Sequence, residues 1–554
     1  MATAPSPCEA DDRGHIELLY IPFSSSPSLV PCNQPDCVRY LPGDHVGFDA
    51  MQRSGIPSTV VFATTPYFAQ PSAMALLTPP VVACAALVAA LVFVVSRLRS
   101  AVASVPGPRL TLFSSLPLKY QEFRGRRTRY IHELHLKYGP VVRVAPNEVV
   151  FASLEAMKEI YMSNGSGYDK TEFYDLFRQY NTKTMFSTLD KQSHSKRRRI
   201  LADRYANTNV VKESSLAGIR ERCRNFVERA AQLPNQEMDI YVFLHCYAFD
   251  GVTHHLFHPY GSNSIQDVSD EAIMREVSFD NSLARRLLEY YNPSLGFLAD
   301  LLGLLPPRRM IPKAKKLVLD AVDQDSPAEF TLLSRMQDPK AGLEKIQMAA
   351  ECMDHMAAGI ETTGDVLCWL MWQISLPGYQ TIQDRLYAEL RDADASAYDQ
   401  LPYLNAVLKE GLRVFPSIPM SLPRYVPDGG REIDGTWLPG GTIVSCQPYT
   451  MHRFDQDVFP KPDAFEPERW LNKEAEIEMN RRFFAFASGG RGCLGRHLAM
   501  AEMKLLLSEV YSRYQTVLAD GTNPDMSMAD QIISSRPKSQ QCILKFIPRE
   551  ATLA

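Results

Sequence analysis

Phe486-Ala487-Ser488-Gly489-Gly490-Arg491-Gly492-Cys493-Leu494-Gly495-Arg496-His497 is the stretch on which the fold turns. Glycines at 489, 490, 492 and 495 work against a regular helix, because each adds backbone freedom that a helix must remove. They allow the backbone to approach something flat and large, and they leave amide N–H groups free to point at the sulfur of Cys493. Together with Arg491, such donors would hold a thiolate and tune its electron donation. Leu498 to Leu507 then reads as a helix whose positive end lies beside Cys493 and favours an anion there. The competing interpretation is a buried structural cysteine in a glycine turn.

Working outward, the spacing predicts a helix from about Leu401 to Phe415. Glu410 and Arg413 stand on it at i and i+3, so their side chains meet on one face. Downstream, Phe465-Glu466-Pro467-Glu468-Arg469-Trp470 supplies a further arginine, Arg469. A buried charge triad of these three is costly unless every member is present, so its expected role is architectural. Leu343 to Leu376 is one long helical pattern with Ala358-Gly359-Ile360-Glu361-Thr362-Thr363 at its middle. Glycine beside an acid–alcohol pair is poor for a helix interior, and Thr back-bonding to the preceding turn lets the helix bulge and leave a groove. A polar kink facing solvent is the plainer alternative. The basic run His194-Ser195-Lys196-Arg197-Arg198-Arg199 reads otherwise as a solvated face.

These motifs, in this order, resemble the cytochrome P-450 family, whose haem loop is Phe-x-x-Gly-x-Arg-x-Cys-x-Gly. Phe486, Gly489, Arg491, Cys493 and Gly495 match its fixed positions, and the resemblance covers roughly Val105 to Ala554. It implies a mainly α fold with a small β part and haem b (iron protoporphyrin IX) as cofactor, held by Cys493 as axial ligand. It implies that Glu410, Arg413 and Arg469 lock together. Thr362 is implied to order the water that protonates dioxygen, with Glu361 relaying protons. His194, in place of the commoner Trp, and Arg198 are implied as haem propionate contacts, and Arg424 matches another such position. The implied activity is monooxygenation: one oxygen atom from dioxygen enters a hydrophobic small molecule. Lys137 to Ala145 and the His-x-x-x-Arg pattern resemble fungal members devoted to secondary metabolites. Two rivals stay open at this stage, a haem-thiolate isomerase or dehydratase that does not use dioxygen and a non-catalytic haem-binding protein.

Composition is that of a large globular protein: 554 residues, 45% hydrophobic, 22% charged, formal net charge -4. That balance excludes a protein that coats nucleic acid. Ala73 to Val95 carries no charge and is long enough to span a bilayer, and residues 73–96 are expected as a transmembrane anchor. Arg97, Arg99, Arg109, Lys119, Arg124, Arg126, Arg127 and Arg129 follow it. Residues 1–72 hold three Arg, no Lys and seven acids. The positive-inside rule then places the catalytic domain in the cytosol, as a single-pass protein of the endoplasmic reticulum membrane. Residues 1–72 read as a disordered tail or a gene-model extension, with Met74 the expected initiator. Residues 97–110 read as a basic, proline-containing hinge and 111–554 as the monooxygenase domain.

Eleven scattered cysteines without zinc spacing are expected to be mostly reduced and buried. No nucleophile elbow, phosphate-cradling loop, zinc helix or Rossmann fingerprint occurs. Electrons are therefore expected from a separate NADPH-dependent flavoprotein reductase, the stretch after Cys493 being too short for a flavin domain. Lys196, Arg197, Arg481, Arg482, Arg496 and Lys504 are expected to form a basic patch for it on the cysteine side. Phe173 to Tyr180 and Phe249 to Leu304 are expected to face an apolar substrate, and Met356 and Ala357 to be packed in the core or to touch substrate.

Overall fold

A computed structural model describes residues 79–393 and 398–549. The tail expected over residues 1–72, Met74 and the first residues of the anchor lie outside the described residues. Elements that position the site are numbered below in chain order.

The apolar stretch forms α1, Pro79–Leu98, none of whose residues is buried. Pro79 and Pro80 open this helix instead of weakening it, since their missing N–H groups would be unpaired there anyway. At about 1.5 Å per residue it is long enough to cross a hydrocarbon layer. The expected hinge is packed. Arg143 is buried, and its Nη1 donates to the carbonyls of Val105 at 2.7 Å and Val102 at 3.1 Å. A Cβ on Gly107 would lie 2.5 Å from the Arg143 carbonyl oxygen, which is why a glycine stands in that turn.

Next come α2, Arg127–Tyr138, and the hairpin β1, Val141–Ala145, with β2, Glu148–Phe151. Arg127 is not a free flanking charge, because it is buried between Glu122 and Glu148, at 2.9 Å from each. The helix α3, Leu154–Met162, leads to the short strand β3, Asp169–Lys170, and to α4, Lys191–Leu201. Then follow α5, Glu213–Gln232, α6, Ile240–Phe257, α7, Val268–Ser278, α8, Leu283–Tyr291, and α9, Pro293–Leu301. The long helix α10, Lys345–Ser375, runs through the core and packs along α6. After α11, Pro402–Val414, come β4, Arg424–Tyr425, β5, Ile443–Cys446, and α12, Arg496–Tyr511. The hairpin β6, Met528–Asp530, and β7, Ser535–Pro537, lies near the carboxyl end.

The fold is thus mainly helical with a small β part. Its largest sheet has the order β1-β2-β5-β4-β3. β2 and β5 are parallel, with Val149 opposite Val444, and the other pairs are antiparallel. Most of β1, β2 and β5 is buried, as expected of strands covered by helices.

Two expectations about helices need correction. The glycine beside the acid–alcohol pair does not bulge α10, which is α-helical throughout Lys345–Ser375. A Cβ on Gly359 would meet Val252 at 2.7 Å, and one on Gly364 would meet the His245 ring at 2.9 Å. Both glycines serve the close approach of α10 to α6. The second concerns Phe249 to Phe257, which is core behind α10 and does not face a substrate space.

Candidate active site

The cysteine loop opens with a 3-10 turn, Gly489–Arg491, and Gly492 to Gly495, with Cys493 among them, lead into α12. The Cys493 amide donates to the Phe486 carbonyl at 2.8 Å and the Gly492 amide to Gly489 at 2.9 Å. Gly489 has a φ of 69°, and its Cβ would fall 2.0 Å from the Tyr161 carbonyl oxygen. A Cβ on Gly490 would lie 2.7 Å from Ser166 Oγ. These two glycines therefore let the loop press against the end of α3, a packing role that spacing alone did not reveal. Gly495 precedes α12, which starts at Arg496, two residues earlier than expected, and brings its unpaired amides near Cys493.

Cys493 is exposed, in contrast with Cys223, Cys246, Cys352, Cys368, Cys446 and Cys542, which are buried and free. Desolvation by the enclosing loop pushes the Cys493 thiol up. The Gly495 N–H, Arg198 and Arg496 pull the other way by stabilising the thiolate. Arg491 is engaged elsewhere, a correction to the expectation that it supports the sulfur. It donates to the Leu189 carbonyl at 2.8 Å and pairs with Asp169 at 2.9 Å.

A cluster of cations surrounds this loop. In the β3–β4 register Lys170 stands directly opposite Arg424, a like-charge pairing that is unfavourable without an anion between them. Arg424 is buried, donates to Tyr174 Oη at 2.7 Å, and lies over the Tyr161 and Tyr174 rings. The Lys170 Nζ donates to the Phe186 carbonyl at 2.5 Å. Burial first, then Arg424 and Arg491, hold its pKa well below the usual lysine value. Arg491 is lowered to about 10, first by burial and then by Arg424. His194 is buried with Nδ1 unpartnered. Burial followed by Lys170, Arg491, Arg198 and Arg424 depresses its pKa to about 3, so the ring is neutral. Arg198 donates to the Gly492 carbonyl at 2.8 Å. Four of these five residues were legible from sequence. Lys170 was not, since nothing local marks a lone lysine after Asp169.

The expected triad is assembled. Arg413 meets Glu410 through two parallel bonds of 2.8 Å, and Arg469 reaches the same carboxylate at 3.1 Å. Trp470 Nε1 at 2.9 Å and the Glu466 amide at 2.9 Å complete it, neither foreseen. Glu410 and Arg413 are fully buried, and every carboxylate oxygen is satisfied.

On α10, Thr362 Oγ1 donates to the Ala358 carbonyl at 2.6 Å, the back-bond expected. Ala358 is exposed and Ala357, Glu361 and Thr362 are half-buried, while Met356 is core. Tyr205 joins this helix to the cysteine loop. Its ring lies 3.8 Å from where a Gly495 Cβ would be, and its hydroxyl is 2.6 Å from His355 Nδ1. Glu361 takes a hydrogen bond from Ser534 Oγ at 3.3 Å and lines a cavity of about 70 Å³, where Phe177, Leu283, Ile532 and Ile533 meet charged and polar side chains.

The basic patch is smaller than expected. Arg197 pairs with buried Glu351 at 3.1 Å and Lys504 with Asp399 at 2.5 Å. Arg481 and Arg482 bond Glu478, and Arg482 also bonds Asp455. Lys196, Arg199 and Arg496 stay at the surface without a carboxylate among the described residues.

A family description, Cytochrome P450, matches residues 105–544. The chain belongs to the cytochrome P450 family. Similar proteins include cytochrome P450 monooxygenase orf2 of Aspergillus niger, 28% identical over 80% of this chain and 92% of the relative. Another is cytochrome P450 monooxygenase ABA2 of Pyricularia oryzae, 28% identical over 73% of this chain and 82% of the relative. A third is cytochrome P450 monooxygenase aflV of Aspergillus parasiticus, 27% identical over 80% and 91%. This cytochrome P450 is an oxygen-incorporating oxidoreductase that uses a haem iron cofactor, dioxygen and a redox partner. Its residues fit that cofactor. The surplus of Lys170, Arg198, Arg424 and Arg491 over Asp169 suits a dianion such as a pair of propionates. An accessible cysteine at a helix start suits a thiolate ligand.

Proposed function

We propose that this cytochrome P450 binds haem b through the Cys493 thiolate and oxidises a hydrophobic small molecule in fungal secondary metabolism. The observation that carries the reading is the exposed Cys493, bonded by the Gly495 amide beside the start of α12 and within reach of Arg198 and Arg496. Lys170, Arg424 and Arg491, with neutral His194, bind the propionates; Arg198 adds charge between that cluster and the sulfur. When bound, the haem supplies dioxygen activation, and thiolate donation favours O–O cleavage.

The chain's own residues then manage protons and water. Thr362, fixed by its bond to Ala358, orients water at the middle of α10. Glu361, whose pKa is raised by burial and then by nearby Asp365, passes protons toward it. Glu410, Arg413 and Arg469 hold the loop scaffold and take no part in the chemistry.

The same reading places α1 across the endoplasmic reticulum membrane with the catalytic domain in the cytosol. Support comes from exposed Phe297, Leu301, Leu302, Leu304 and Met310 at and after α9. α8 packs on the helix Leu116–Phe123, whose Leu116 and Tyr120 are exposed. Clustered exposed apolar side chains of this kind suit contact with a membrane. An NADPH-dependent flavoprotein reductase would meet the face bearing Lys196, Arg199 and Arg496.

The test is product analysis after co-expression with a fungal reductase, under isotopically labelled dioxygen. The reading requires one labelled oxygen atom per product and no product without dioxygen. Unlabelled product formed anaerobically would replace it with isomerase or dehydratase chemistry.

A further inference from the structure

The cavity against α10 is lined by a buried pair of titratable groups that the reading above leaves without a role. At about 70 Å³ it is too small for a multi-ring substrate and large enough for a few water molecules. On α6, His245 is 1% exposed, with Nδ1 2.6 Å from the Tyr241 carbonyl. A carbonyl only accepts, so Nδ1 carries hydrogen and Nε2 is the exchangeable position. Nε2 lies 3.5 Å from Asp365 Oδ1, a buried atom with no hydrogen-bond partner among the described residues. Asp365 and Glu361 stand four residues apart on α10, on one face, and both line the cavity. Half-buried Arg286 carries the cavity toward solvent.

We propose that His245 and Asp365 form a proton-relay pair that recharges Glu361 from solvent through this cavity. The inference rests on the role assigned above to Glu361 and Thr362. A proton taken up at His245 Nε2 passes to Asp365 Oδ1, then through cavity water to Glu361, whose own proton leaves toward Thr362. Only N–H and O–H bonds form and break, each relay group ends as it began, and the electrons come from the reductase.

The surrounding charges suit such a shuttle. Burial raises the carboxyl pKa of Asp365 and of Glu361, and Asp365 raises Glu361 further. Burial opposes charge on His245 as well, but contact with Asp365 outweighs it and the pKa is raised. Asp280 and Arg309 pair at 3.1 Å and largely neutralise each other. Arg536 donates to the Asp280 carbonyl at 2.9 Å, has no carboxylate partner among the described residues, and lowers both carboxyls. Tyr241 faces them from α6 as a neutral phenol.

The experiment uses the full-length haem-loaded enzyme with a fungal reductase and follows NADPH consumption under dioxygen, normalised to haem. His245→Gln and Asp365→Asn should slow consumption on the order of tenfold, raise its solvent deuterium isotope effect and change its pH profile. Asp365→Glu should restore most of the rate. Infrared difference spectra across a pH titration, without turnover, should show a carboxyl band lost in Asp365→Asn and shifted in His245→Gln. Wild-type rate, isotope effect and pH profile in both variants would overturn the relay. So would slow variants with an unchanged isotope effect and pH profile, which mark a packing defect. If Glu361→Gln is slow while both relay variants are fast, the relay alone falls. If Glu361→Gln is itself fast, the role of Glu361 falls with it.

Discussion

His452 Nε2 accepts the backbone N–H of Phe484 at 2.8 Å, while its Nδ1 faces the Arg413 carbonyl at 3.2 Å. One buried imidazole thus ties the charge triad to the strand of chain that enters the cysteine loop. Burial, then Arg413 and Arg453, keep it neutral, with its pKa lowered to about 3, so this tie does not change across physiological pH. His452→Ala leaves the Phe484 amide buried without a partner, a cost of about 1–3 kcal/mol. Haem transfer to an acceptor globin should accelerate in this variant while the helix content is kept.

Arg469→Ala removes one arm from a carboxylate that has no access to solvent. Breaking a buried charge group typically costs about 3–5 kcal/mol, because the remaining charge stays uncompensated. The expected result is loss of soluble haem protein on expression, not merely lower turnover. A well-folded, haem-replete Arg469→Ala protein would remove the triad from the account.

Lys170→Met tests the one cation that sequence patterns did not mark. Removing it relieves the like-charge contact with Arg424, so the apoprotein should keep or gain thermal stability. Haem affinity should fall on the order of tenfold, or about 1.4 kcal/mol, if Lys170 serves a propionate. Competition titration with an acceptor globin measures this directly.

Stability should respond to pH with opposite signs at two glutamates. Glu502 is buried with Oε1 unpartnered, and desolvation, only partly offset by Arg222, pushes its pKa up to about 8. The folded state then holds a proton that the unfolded chain releases above its ordinary carboxylate pKa. Stability is therefore lost as pH rises from that value to about 8. Glu502→Gln should raise the melting temperature at pH 8 by more than at pH 5. Glu410 goes the other way: burial raises its pKa, but Arg413 and Arg469 outweigh it and hold it low. Its contribution is present above the ordinary carboxylate pKa and is lost as pH falls through its lowered value. Melting curves from pH 3 to pH 9 test both.

The cysteine loop and the long central helix were legible because each is a local pattern with a fixed spacing, whereas Arg469, 59 residues from Glu410, was tied to it only by the family resemblance. The Glu410–Arg413 pair follows from helical periodicity, and α10 extends almost as far as its apolar period. What escaped depends on distant parts of the chain meeting. Lys170 matters because β3 pairs with β4, Trp470 because its indole turns back to Glu410, and His245 because Gly364 lets α6 approach α10. Charge counting along the chain also overstated the basic patch, since Arg197 and Lys504 find carboxylates far away in sequence. Glycine was the least transparent residue. At Gly359, Gly489 and Gly490 a Cβ would collide with neighbouring side chains and backbone, contacts that local spacing does not show.

The central claim is that the sulfur of Cys493 is the iron ligand, and one spectrum addresses it. The reduced, carbon monoxide-bound holoenzyme should show the red-shifted Soret band of a thiolate complex. The same band should be missing from Cys493→Ala protein reconstituted with hemin under matched conditions. A wild-type band at the position given by a nitrogen ligand, or an unchanged thiolate band in the variant, would contradict the account.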